Sequence, residues 1–373
     1  MNLKTLLVAI GLTFGASLAN AGLVITPTFD STISGDMTNG SAIESVINNA
    51  ITAFEDTFTN PITVDIYFQA GGGLGQSNTV SYNNTYSDFY SGLVSTDANQ
   101  AAIAGLNANG GNANTNGGVS PVSGTSGNAD LAVKSANGRA VGITGDVPAC
   151  TVTAVTPSAM NGNIPNDCGN GTGPTVDAIV SLNTAITNPG GGSFPLLATT
   201  EHEIDEVLGL GSTLLNCDDT KAGSGCTAAS AYNTTGQYAA PEDLFRYDGA
   251  GVRTLSTVCS ATPESTNLAT QPSAYFAYGS GTGNIAQFNN DCNGGDFGYW
   301  QSSPLPNGVS AEVQDAFTGP GAGPTLGTAE IDALSAIGYT TTVAPEPGTI
   351  ALFGFGCAGL LAYRLPHRRR AHN

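Results

Sequence analysis

Between residues 43 and 58 the apolar positions Ile43, Val46, Ile47, Ala50, Ile51, Phe54 and Phe58 recur at spacings of three and four, which predicts a helix with one buried face. Ser41 and Glu44, three apart, form a capping box where this helix opens, and Pro61 stops it. The period then changes to two. Ile62, Val64, Ile66 and Phe68 alternate with Thr63, Asp65, Tyr67 and Gln69, which predicts a strand buried on one side. The stretch AGGGLGQ, residues 70–76, lacks a P-loop lysine and reads as a flexible turn rather than a phosphate cradle. Residues 105–128 are mostly Gly, Asn, Ala, Ser and Thr, too poor in apolar surface to pack, and read as a surface excursion. Short β-type segments return near 131–143 and at 176–182. An apolar lead-in from Phe194 to Ala198 opens a second helix, and Ile331, Leu334 and Ile337 mark the buried face of a last one. No repeat of fixed period occurs, which excludes a solenoid.

The two ends follow other rules. Lys4, an apolar run through Leu18 and the small-residue site Ala19-Asn20-Ala21 read as a secretory signal peptide over residues 1–21. At the other end Pro345-Glu346-Pro347 precedes an apolar stretch from Thr349 to Tyr363 and the basic residues Arg364 and Arg368 to Arg370. That stretch is shorter than the roughly 20 residues of a comfortable transmembrane span, and the arginines would hold its end in the cytoplasm. This tripartite end resembles the PEP-CTERM sorting signal. The resemblance implies that residues 341–373 are recognised and removed by an exosortase in a Gram-negative bacterium, leaving the protein at the cell surface or in the extracellular matrix.

Between those ends only 5 Lys and Arg stand against 28 Asp and Glu, a net charge near −23 by this count. Nucleic acid is thereby excluded as a natural partner. Such acidity suits cation binding as well as a merely solvated exported surface. Six cysteines fall in the same segment, at 150, 168, 217, 226, 259 and 292. In an oxidising compartment they suggest three disulfides, and nearest-neighbour pairing is the expectation: 150–168, 217–226 and 259–292. A cysteine-zinc site is the rival reading, weakened because no C-x-x-C pair occurs.

The chemistry concentrates in TTEHEIDEVLGLGS, residues 199–212. His202 and Glu206, four apart on a helix, project from one face and can converge on one ion, while Glu203 can reach a water there as general base. Zinc (Zn2+) accepts carboxylate oxygen as well as imidazole nitrogen, so the change from H-E-x-x-H to H-E-x-x-E need not destroy the site. Glu201, Glu203, Asp205 and Glu206 crowd four acids into six residues without a nearby Lys or Arg, a repulsion that a bound cation relieves. The plainer alternative is an exposed acidic face with an incidental histidine. Gly209 stands where extended zinc motifs turn the chain sharply toward a third ligand, and Ser212, a poor zinc ligand, takes the ligand's place. Asp243 is our expected third metal ligand and Tyr247, four residues on, an oxyanion donor. A capping Asp and a core Tyr serve equally well, and Asp218, Asp219 and Glu242 compete. Asp291, Asn293 and Asp296 have an oxygen-rich spacing suited to calcium (Ca2+), though an ordinary turn explains them more simply.

Four stretches, HEIDEVLG, DLFRYDGAGVR, GGDFGYW and the final EIDALSAIGY, together resemble a family of secreted bacterial zincin-like metalloproteases with the motif H-E-I-x-E-x-x-G, many bearing PEP-CTERM tails. The resemblance runs from about Ile25 to Tyr339. It implies an α+β zincin-like fold over residues 22–340: a mixed sheet, an active-site helix and a loop-rich, disulfide-bearing C-terminal half. It also carries over His202, Glu203 and Glu206. The chain departs from better-known zincins in lacking a third histidine and any methionine after Met160 to form a Met-turn. The expectation is a monomeric, exported, zinc-dependent endopeptidase acting on a peptide or protein substrate. The alternative is a non-catalytic surface or matrix protein on a degenerate zincin scaffold.

Overall fold

The computed structural model describes residues 22–96, 99–108, 130–143, 150–151, 175–187, 189, 192–212, 239–248, 251, 253, 274–279, 283–289, 295–302 and 309–342. The chain divides into a unit ending at Thr340 and a C-terminal unit from Thr341, and every element named below belongs to the first. In chain order these are β1 (Val24–Phe29), α1 (Ser31–Ser34), α2 (Gly40–Thr57), β2 (Thr63–Ala70), β3 (Gly75–Thr79), β4 (Ser81–Thr85), α3 (Tyr86–Thr96), α4 (Gln100–Ala108), β5 (Asp130–Lys134) and α5 (Ser135–Ala140). They continue with β6 (Cys150–Thr151), β7 (Thr175–Val176), β8 (Ala178–Leu182), α6 (Thr184–Thr187), α7 (Leu196–Leu208), a 3₁₀ turn at Pro241–Phe245, β9 (Arg246–Tyr247), β10 (Tyr275–Phe276), β11 (Ala286–Gln287) and α8 (Thr328–Ala336).

The architecture is mixed α/β around a mixed four-stranded sheet of order β1-β2-β8-β3. β1, β2 and β8 run parallel, and β3 closes the sheet antiparallel to β8. Val64, Ile66 and Phe68 of β2 are fully buried, as the period of two requires, and all five residues of the central β8 are buried. Ile43, Ile47, Ala50, Ile51 and Phe54 of α2 join Ile204, Val207 and Leu208 of α7 in one core with those strands. Burying each such side chain stabilises by about 1.5–3 kcal/mol, so the two helices are held to the sheet by their apolar stripes rather than by charge. The loop-rich half joins that same core, where Trp300 packs on Phe276 and Phe288 and the buried Arg246 lies over the Phe288 ring at 4.6 Å. That packing anchors residues 295–302 against the rest. Among the described residues no helix is long and apolar enough to cross a membrane.

Several sequence readings change in detail. α2 opens at Gly40 with Asn39 at its cap, so Ser41 lies inside the helix and the expected capping box is not what starts it. The segment near 131–143 is strand only to Lys134 and then coils into α5. Residues 105–108, expected in a surface excursion, complete α4, where Leu106 is buried. AGGGLGQ is a turn only through Leu74. From Gly75 the chain becomes β3, a strand of polar residues held by backbone pairing to β8. The signal peptide, the sorting tail beyond Thr342, Asp218, Asp219, Asp291, Asn293 and all the paired cysteines but the backbone of Cys150 lie outside the described residues.

Candidate metal centre

α7 lies across β3 and β8, so its polar face meets the edge strand and its apolar face enters the core. On that polar face His202, Glu203 and Glu206 each offer a ligand atom, and these atoms all lie within 4.8 Å of one another. His202 Nε2 stands 3.9 Å from Glu206 Oε1. The other ring nitrogen, Nδ1, is 2.8 Å from the Val313 carbonyl, which can only accept, so Nδ1 carries a hydrogen and Nε2 is the nitrogen turned to the cluster. Gln314 Nε2 donates to the His202 carbonyl at 2.8 Å, and the Tyr299 ring meets the imidazole edge-on at 4.7 Å between centroids. The Val313 carbonyl and the Tyr299 ring thus hold the imidazole, while Gln314 holds the His202 backbone.

Glu206 is oriented by two hydroxyls. Tyr299 donates to its Oε1 at 2.5 Å, and Ser77 of β3 donates to its Oε2. Burial pushes the Glu206 carboxyl up, but His202, Lys134 and the two hydroxyl donors outweigh it and hold the group below the ordinary carboxylate range. Glu203 goes the other way. Burial, the Glu206 charge and a hydrogen bond to Glu206 drive it well above that range, against the weaker pull of Lys134. The two carboxyls are thus pushed in opposite directions. Glu203 lines the cleft, and its Oε2 is buried without a hydrogen-bond partner.

Lys134, at the end of β5, is the cation nearest the group. Its amine donates at 2.6 Å to the carbonyls of both Glu206 and Leu210, satisfying the open C-terminal end of α7. Burial depresses this amine in spite of the acids around it. The helix stops at Gly209, whose φ of +139° suits glycine, and the Gly209 and Leu210 amides turn back onto the Asp205 carbonyl. The chain then meets the 3₁₀ turn. Glu242 Oε2 accepts from the Gly211 amide at 2.5 Å, and Asp243 Oδ1 accepts from Ser212 Oγ at 2.6 Å.

This placement corrects two expectations. Asp243 is not in the cluster. Its other oxygen accepts from the Ala240 amide at 2.8 Å, so it works as a cap and as a clasp on Ser212. Tyr247 is fully buried away from the cleft, stacked on Tyr275, with its hydroxyl accepting from Arg253 at 2.7 Å. The tyrosine at the site is Tyr299. It stands in GGDFGYW, a stretch conspicuous in the sequence but carrying no signal of which residue faces the helix. Ser77 had no readable signal, because a polar strand has no hydrophobic period. Lys134 had one, being one of only five basic residues between the two ends.

The cleft has a volume of about 350 Å³ and runs between the turn at Leu74–Ser77, α7 and residues 315–318. Asp315 lines it, 6 % exposed, and is pushed up to about 8 by burial and by Glu330 and Glu312, against the Glu312 amide that bonds its Oδ2. Behind α7, Glu201 Oε2 accepts from the Leu326 amide, and burial with Glu330 beyond lifts Glu201 to about 7. Asp205, fully buried, is raised well above its usual range by burial and the same neighbours. Among the described residues His202, Glu203 and Glu206 are the one group of three or more His, Cys, Asp or Glu placed to hold an ion. Comparison with protein-family models, curated proteins and solved structures returned no match.

Proposed function

We propose that the protein is an exported, zinc-dependent endopeptidase of the zincin type, in which His202 and Glu206 hold the metal and Glu203 is the general base. The observation that carries this reading is the convergence of His202, Glu203 and Glu206 within 4.8 Å on the floor of a cleft. The residues fit a zinc ion: an imidazole nitrogen turned to a carboxylate is a donor pair zinc takes, and the buried Glu203 Oε2 beside them lacks a partner. Zinc would supply Lewis acidity there, easing deprotonation of a water and stabilising negative charge.

The chain's own residues do the rest. Glu203 can accept a proton only as a carboxylate, and a cation bound beside it would favour that state against the burial and the Glu206 charge that raise it. Tyr299, an O–H donor already aimed into the cluster, takes the oxyanion role expected of Tyr247. The Val313 carbonyl and the edge-on Tyr299 ring keep the His202 ring from turning. β3 ends the sheet beside the cleft, so an extended peptide can pair with it and pass over Glu203. Removal of residues 1–21 on export and of the tail by an exosortase belongs to the same reading.

The test is hydrolysis of a broad peptide library by the zinc-loaded mature protein, compared with Glu203→Gln. The variant keeps the size of the side chain but not its basicity, so zinc stays while turnover falls about 10²–10⁴-fold. If wild type with zinc bound cleaves nothing, the peptidase reading fails and a non-catalytic scaffold is the better account.

A further inference from the structure

Gly75 and Ser77 are two apart on β3 and share the face that meets α7. Ser77 bonds Glu206. Gly75 lies against Glu203 so closely that a Cβ on it would stand 2.3 Å from Glu203 Oε1 and 2.8 Å from Thr199 Cγ2. Real Cβ contacts are never so short, and what must yield is the carboxylate end of Glu203, the nearer of the two, together with the Thr199 methyl. The three other glycines of AGGGLGQ differ: a Cβ on Gly71 would stand 2.6 Å from Ser181 Cβ of the neighbouring strand, one on Gly72 would meet nothing within 4 Å, and Gly73 has a turn φ of +72°. Gly75 is in extended strand, where any residue fits the backbone, so its lack of a side chain is explained by what it faces.

We propose that Gly75 is a positioning residue for Glu203: the edge strand fixes both carboxylates of α7, one by a hydrogen bond from Ser77 and the other by the space a glycine leaves. The catalytic consequence rests on the peptidase reading, while the placement of Glu203 does not. A methyl group at position 75 moves the carboxylate that must accept the proton, and the three atoms nearest it belong to Glu203 and Thr199 rather than to His202 or Glu206. Displacing a reacting group by about 1 Å is worth about 10²-fold in rate.

The experiment compares Gly75→Ala with Gly72→Ala in the zinc-loaded mature protein. Gly75→Ala should keep its zinc and its KM and lose about 10²-fold in kcat, while Gly72→Ala matches wild type. In a Glu203→Asp background, whose shorter side chain makes room for the methyl, Gly75→Ala should cost less than it does alone. The same loss in both backgrounds would overturn the proposal. Thermal melts of the metal-free proteins decide the placement without reference to turnover. Gly75→Ala should lower Tm in the wild-type background and do so less beside Glu203→Ala, where only the Thr199 methyl still stands in its way, whereas equal shifts would mean that residues 75 and 203 do not meet. An inactive wild type that still shows the coupled melts would sink the peptidase reading and leave the positioning of Glu203 standing.

Discussion

Replacing Asp315 by Asn isolates one of the charges buried at the mouth of the cleft. The carboxyl is 6 % exposed and lifted from an ordinary 3.8 to about 8, first by burial and then by Glu330 and Glu312. A carboxyl raised on folding stabilises the fold fully below its unfolded value and loses that contribution as pH rises through its folded value. At about 1.4 kcal/mol per pH unit, the part of this titration between about pH 5 and about pH 8.5 amounts to about 4 kcal/mol lost. Asn cannot ionise, and its amide oxygen can still accept from the Glu312 amide that now bonds Oδ2. Glu201, raised to about 7, titrates in wild type and variant alike and cancels in the comparison, while Glu312, also raised to about 7, acts on Asp315 and its effect is contained in that figure. The assay is urea unfolding of the metal-free proteins at the two pH values and constant ionic strength. Wild type should lose stability toward alkaline pH, and Asp315→Asn should lose about 4 kcal/mol less. Identical pH slopes would refute the reasoning, because they would mean that Asp315 is as well solvated folded as unfolded.

Other outcomes are equally specific. Tyr299→Phe should cost about 10²–10³-fold in kcat with zinc retained, as loss of an oxyanion donor does, whereas Tyr247→Phe should leave turnover unchanged and cost stability through its bond from Arg253. Kinetics and melting of the two variants separate these roles. Mass spectrometry of protein recovered outside the cell should find Cys150, Cys168, Cys217, Cys226, Cys259 and Cys292 oxidised and Arg368 to Arg370 absent; free thiols or an intact C-terminus would contradict the export reading.

The sequence revealed those parts of the molecule in which side chains decide the structure. α2 and β2 bury the stripes that make them, so their periods of 3.6 and 2 can be read directly, and the cluster on α7 could be named because His202, Glu203 and Glu206 lie on one helical turn. β3 could not be read: GQSNT has no apolar alternation and owes its place to the ladder with β8. The partners that α7 meets from afar were hidden for the same reason. Ser77, Lys134, Tyr299 and Val313 reach the helix from four separate segments, and only tertiary packing brings them there. Asp243 and Tyr247 were chosen by proximity to a motif, and capping and core packing claimed both.

The central claim is that α7 holds an ion between His202 and Glu206. Elemental analysis of the purified mature protein, after exhaustive dialysis against trace zinc, tests it most directly. Wild type should carry about one zinc per chain, His202→Ala should carry essentially none, and Glu206→Gln should hold it weakly, because a neutral amide oxygen is a poorer ligand than a carboxylate. Zinc undiminished in His202→Ala, or none in wild type, would contradict the account.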